Sequence, residues 1–159
     1  MKIREILALY RIIGAKTPIK ADCGELCGAA CCQGGEEDGM MVLPGEEKLL
    51  RLSPGMRIKK SANGHIYAVC DGRCWRALRP FSCRIYPLAL LKAGDEVRVV
   101  ADSRAKYRCP LLAAPAYIDP DFVRALRKAG KLICGSASGR AYLEELAKEL
   151  RAYYRFTGK

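Results

Sequence analysis

The sequence predicts an α+β fold: a small single domain of short antiparallel hairpins and Cys-rich metal-binding loops, with helices at both termini. Three observations carry this expectation. Apolar residues recur at helical spacing over residues 2–13 and again over 119–156. Between these stretches, short apolar runs are punctuated by turn signals, the strongest being Asn63-Gly64. Eight of the nine cysteines crowd into residues 23–109, in loops rich in glycine and charge. A length of 159 residues predicts one domain, 1–159, with a cysteine-cluster core at about 21–110 and a C-terminal helical pair at about 119–156.

Residues 2–13 read as a helix whose apolar face is Ile3, Ile6, Leu7, Tyr10 and Ile13, closed by Gly14 with Pro18 soon after. Ala21 to Gly35 is a cysteine loop. Cys23, Cys27 and Cys31 are four apart, which would align them on a helix. Gly24, Gly28, Gly34 and Gly35 cost helix stability, so one helical turn within a loop is expected. The acidic tip Glu36-Glu37-Asp38 is expected to be solvated. Residues 39–43 read as a short strand and 44–51 as a short helix with proline at its start.

Ser53-Pro54-Gly55 is a turn, and residues 56–61 and 65–69 form a hairpin around Asn63-Gly64 that delivers the chain to Cys70. Pro87 ends any helix after Cys83. Residues 88–91 and 96–101 form a second hairpin across 92–95. Residues 102–110 are a loop carrying Cys109. Asp119 caps a helix that starts at Pro120 and runs to about Cys134, burying Phe122, Leu126, Ala129 and Ile133. Residues 135–139 break the chain. A last amphipathic helix follows over 140–156, with Tyr142, Leu143, Leu146, Leu150 and Tyr153-Tyr154 on its apolar face.

The N-terminus carries Arg4, Glu5 and Arg11, so it does not read as a secretory signal, and no apolar run approaches the ~20 residues that cross a bilayer. The expected compartment is the reducing cytoplasm, where grouped thiols mean metal or redox chemistry rather than disulfides. The net charge of +11 is spread along the chain, at +2 over residues 1–60, +5 over 61–110 and +4 over 111–159. With no clustered basic run and no aromatic stacking platform in the sequence, a solvated basic surface is favoured over a nucleic-acid partner.

The chemistry lies in the cysteines. Cys23, Cys27, Cys31 and Cys32 form a C-x3-C-x3-C-C run; Cys70, Cys74 and Cys83 form a second group, followed by Cys109. Thiolates are ligands for zinc and for iron–sulfur clusters, each of which takes four. Eight thiols could fill two such sites, or one with the others as partners. Neighbouring side chains diverge, so Cys31 and Cys32 are expected to face different partners. Arg73, Arg76, Arg79 and Arg84 surround the second group, where positive charge would stabilise thiolate; Arg84, beside Cys83, is the strongest candidate. Cys134 reads as a packing residue. His65, the sole histidine, reads as a strand residue, which excludes Cys/His zinc fingers by count. Asp71 and Asp102 read as turn and cap residues. No paired-carboxylate, Ser/His/Asp, phosphate-loop or nucleotide-binding constellation is present, and the C-x3-C-x2-C spacing of radical-SAM clusters is missing.

Cys23, Cys27 and Cys31-Cys32, then Cys70 and Cys74, then Arg79-Pro80-Phe81-Ser82-Cys83-Arg84-Ile85-Tyr86-Pro87 together resemble the YkgJ-type cysteine-cluster family, described as zinc- or iron-chelating. The resemblance spans roughly residues 21–110 and rests chiefly on the R-P-x-x-C-R-x-Y-P element. It implies metal binding by those seven cysteines, with Cys109 as a further downstream ligand and Arg79 and Arg84 beside the bound group. It implies no particular reaction. The expectation is a cytosolic protein holding an iron–sulfur cluster, possibly 4Fe-4S, or Zn2+. The thiol count and the arginines favour iron–sulfur. The alternatives are a metal-dependent redox or group-transfer enzyme and a zinc-stabilised nucleic-acid or protein interaction module.

Overall fold

In the computed structural model, which describes residues 1–33, 39–72, 75–94 and 96–157, the chain is α+β with helices at both ends. Helix α1 (Ile3–Ile13) buries Ile6, Leu9 and Ile13, and Gly14 closes it by donating its N–H to the Tyr10 carbonyl. The buried face is thus turned from the expected one: Ile3 and Leu7 are exposed and Leu9 is fully covered. Helix α2 (Cys23–Cys27) is the single turn anticipated in the first cysteine loop. The glycines at 34 and 35 and the acidic tip 36–38 lie outside the described residues, as do Arg73, Cys74 and Asp95.

Strands β1 (Met40–Met41), β2 (Met56–Lys60) and β3 (Ile66–Cys70) form an antiparallel sheet in the order β1-β3-β2. The Asn63-Gly64 turn sets the register of β2 and β3, pairing Lys60 with Ile66 and Met56 with Cys70. Helix α3 (Glu47–Leu50) covers a small apolar cluster of Val42, Leu50 and Ala68 beneath this sheet. A helix the sequence left unread, α4 (Phe81–Ile85), leads into a second hairpin, β4 (Leu88–Ala93) with β5 (Glu96–Ala101).

Helix α5 (Pro120–Cys134) starts where Asp119 accepts the Asp121 N–H at 2.9 Å. Helix α6 (Ala137–Thr157) begins three residues before the expected start. Ser136 Oγ accepts the Gly139 N–H at 3.0 Å, so the serine caps a helix rather than extending the break. Along α6, Tyr142, Leu143, Leu146 and Leu150 are buried as expected, whereas Tyr154 is exposed.

The main core joins Leu9 and Ile13 of α1, Phe81 and Ile85 of α4, Leu88 and Leu90 of β4, Phe122, Leu126 and Ile133 of α5, and Leu143 and Leu146 of α6. Each such burial stabilises by roughly 1.5–3 kcal/mol. Helix α4, which carries Cys83, is anchored in this core through Phe81 and Ile85. Ser82 Oγ and the Tyr142 hydroxyl both donate to the Met41 carbonyl, at 2.9 and 3.3 Å, tying β1 to α4 and α6. Among the described residues no helix is long and apolar enough to cross a membrane.

Candidate metal centre

The first cysteine run is shaped by local backbone chemistry. Asp22 accepts the Gly24 N–H at 3.0 Å and starts α2, which places Cys23 and Cys27 four apart on one face. Gly28 ends it in the left-handed region at φ 58°. Ala29 follows at φ 54°, a conformation that costs a side-chain-bearing residue energy. Two left-handed residues in succession reverse the chain into a 3-10 turn over Ala30–Cys32, which brings Cys31 and Cys32 back beside the helix. Their sulfurs stand 3.8 Å apart, so the expected divergence of these neighbours does not occur. A tetrahedral ion with bonds of about 2.3 Å to sulfur sets its sulfurs about 3.8 Å from one another.

The second group is carried by rigid elements. Strand β3 ends at Cys70, as the hairpin reading anticipated. The following Gly72, at φ 86°, lies against the Cys32 carbonyl; a Cβ there would stand 3.3 Å from that oxygen. Cys83 is the third residue of α4, whose first N–H, that of Phe81, is accepted by Glu46 Oε1 at 2.6 Å. Glu46 is fully buried and also accepts from the Tyr10 hydroxyl at 2.6 Å and the Leu43 N–H at 3.0 Å. Burial pushes its carboxyl above the ordinary range, against the pull of those three hydrogen bonds and of Arg84.

Arg84 is a clamp. It donates to the carbonyls of Arg79 at 2.8 Å, Arg76 at 2.9 Å and Ala77 at 2.7 Å. Its guanidinium lies 4.1 Å from the centroid of the Tyr10 ring. The R-P-x-x-C-R spacing therefore serves geometry: one arginine folds the segment before Cys83 back over the helix that carries it.

Cys109 arrives from elsewhere in the chain, with its N–H bonded to the Ala105 carbonyl at 2.9 Å. A cavity of about 320 Å³ is lined by Cys23, Cys27, Cys31, Cys32, Cys83 and Cys109, together with Arg76, Arg79, Arg84 and Arg108. A second cavity of about 130 Å³ is lined by Cys31, Cys32, Cys70 and Cys83. Seven of the eight predicted ligands thus face one or both cavities; the eighth, Cys74, lies outside the described residues. Arg79 and Arg84, predicted beside the bound group, both line the larger cavity. Sequence reasoning missed Arg104 and Tyr86 as cavity residues, along with Arg108. The adjacency of Arg108 to Cys109 and the place of Tyr86 in R-P-x-x-C-R-x-Y-P were the available signals; Arg104 left none.

Cys31 is exposed and the other described cysteines are half-buried. Burial raises the Cys23 thiol pKa, and Asp22, Cys109 and Cys27 add to it while Arg76 opposes. Burial likewise raises Cys109. Cys31 is raised by its hydrogen bond to Cys32 and by burial. Cys32 is lowered to about 6 by that bond, with Arg79 acting in the same sense. One thiolate shared between the pair is the consistent reading. Among the described residues, no three side chains of His, Cys, Asp or Glu already converge as ligands on one point. The donor set is nevertheless all thiol, set among arginines, as a soft cation or a cluster requires.

The remaining candidates lie apart. Cys134 packs against the main core. His65 faces Glu145 at 3.5 Å. Asp102 is 1% exposed and is both a cap, accepting the Arg104 N–H, and the partner of the Arg104 guanidinium at 2.6 Å. No family model, curated protein or solved structure matches the chain.

Proposed function

We propose that this is a cytoplasmic metal-binding protein whose clustered cysteines hold an iron–sulfur cluster or zinc. The observation that carries the reading is convergence: thiols from α2, the 3-10 turn at Ala30–Cys32, α4 and the loop at Cys109 line one cavity, and Cys70 joins through the cavity beside it. Cys23, Cys27 and Cys109 would serve the larger cavity and Cys70 the smaller, while Cys31, Cys32 and Cys83, which line both, could serve either, with Cys74 close to Cys70 in sequence. The resemblance of the two cysteine groups to the YkgJ-type family supports the same conclusion.

Iron–sulfur is preferred over zinc because Arg76, Arg79, Arg84 and Arg108 offset the charge of several thiolates at once and would raise a cluster's reduction potential. A bound cluster would supply one-electron chemistry; zinc would supply structure or Lewis acidity. A second reading, a metal-dependent redox or group-transfer enzyme, is favoured by the exposure of Cys31 at the wall between the two cavities. Metal analysis with an absorption spectrum, on protein purified without oxygen, tests the proposal. About four irons per chain with broad visible absorption supports a cubane. One or two zincs and no colour supports zinc, and a chain without metal refutes both. Iodoacetamide labelling of the loaded protein decides the second reading: complete protection of the grouped thiols counts against an enzyme.

A further inference from the structure

Away from the cysteines, tertiary structure builds a surface that the linear sequence does not display. The C-terminal end of α6 presents Arg151, Tyr154 and Arg155 at i, i+3 and i+4, so the three share one face. The turn after β5 brings Lys106 and Tyr107 against that face. The Lys106 ammonium stands 5.1 Å from the centroid of the Tyr107 ring and 6.0 Å from that of Tyr154. Tyr107 is 68% exposed and Tyr154 57%, while Lys106, Arg151 and Arg155 are all exposed. Neither contributing stretch, residues 103–118 or 150–157, contains an acid. The nearest acid along the helix, Glu149, is held by Arg104 at 2.7 Å and by the Tyr67 hydroxyl at 2.8 Å.

We infer that this face binds single-stranded nucleic acid. Two exposed aromatic rings interleaved with three cations, on two stretches that contain no acid, complement a chain that alternates phosphates with flat bases. The tyrosines offer faces for bases once Lys106 turns to a phosphate, and Arg151 and Arg155 flank the track. An anionic membrane fits less well. Insertion needs an apolar side chain on the same face, and Phe156 lies about 200° around the helix from Tyr154. The proposal is independent of the metal reading, because none of these five residues lines either cysteine cavity.

Fluorescence anisotropy with a short labelled uridine oligonucleotide tests it on the intact protein. Three phosphate contacts predict a slope of about −2 in log K against log salt between about 50 and 200 mM. Tyr107→Ala and Tyr154→Ala should each weaken binding about tenfold at fixed salt, while the Phe variants retain it. Lys106→Gln should reduce the slope by about 0.7. All these side chains are exposed, and circular dichroism confirms that the variants fold. No binding at the lowest salt overturns the proposal. So does binding indifferent to both alanine variants, tighter binding to a duplex of the same length, or binding to phosphatidylglycerol-containing vesicles without binding to the oligonucleotide.

Discussion

Replacing Glu46 by alanine should destabilise the fold by about 2–4 kcal/mol. The side chain is fully buried and accepts three hydrogen bonds, two of them from the backbone N–H groups of Leu43 and Phe81. Alanine leaves both N–H groups buried without an acceptor, at a cost of about 1–3 kcal/mol each. Relief from desolvating the carboxyl offsets part of that sum. The Tyr10→Phe variant removes one donor and should cost only about 1 kcal/mol. The assay is urea unfolding followed by circular dichroism, on reduced, metal-free protein, so that metal loss does not enter the transition. An alanine variant within about 0.5 kcal/mol of the parent chain, as for an ordinary surface site, would refute the reasoning.

The same residue fixes a pH dependence. Burial raises the Glu46 pKa, so the folded chain holds that proton more tightly than the unfolded one. Its contribution is therefore complete below the unfolded value of about 4.3 and is lost as pH rises through the folded value. The advantage of the parent chain over Glu46→Ala should be largest in acid and shrink upward; an advantage that grows with pH contradicts the sign. Because Glu46 seats the first N–H of α4, Cys83 should also alkylate faster in the metal-free alanine variant.

Further outcomes test the other supports. Arg104→Met strands the Asp102 carboxylate, 1% exposed, without its paired guanidinium, and should cost about 3–5 kcal/mol by urea unfolding. Gly130→Ala should lower the melting temperature although alanine is the better helix former by about 1 kcal/mol. Its Cβ would stand 2.7 Å from Val97 Cγ1, and overpacking of this kind costs about 1–3 kcal/mol. Cys31→Ser should reduce bound metal measured by mass spectrometry, whereas Cys134→Ser, altering a thiol packed on the core, should leave it unchanged.

Several elements were legible because their signals are local. Asp119-Pro120 marks the start of α5 to the residue, its end falls at the expected region about Cys134, and Asn63-Gly64 sets the β2–β3 hairpin. A cap or a turn is written in adjacent residues, and no distant contact is needed to read it. The short helix α4 was not legible, since five residues carry too little periodicity and its start depends on Glu46, 35 positions away. The buried face of α1 departs from the apolar stripe of its sequence for a related reason. Ile3 and Leu7 continue an acceptable helical stripe, and only the position of α5 and α4 decides that Leu9 is covered instead.

The sequence alone determined the α+β class, the hairpins, the capped helix α5 and the grouping of thiols among arginines, because composition, spacing and turn chemistry are properties of neighbouring residues. Tertiary structure alone decided that Cys109 and Cys83 face the cavity of the first run, that Cys31 and Cys32 bring their sulfurs to 3.8 Å, and that Lys106 sits between tyrosines 47 positions apart. Those arrangements follow from packing the helices and hairpins on a shared core. Contacts between distant segments leave no period in the chain from which they could be read.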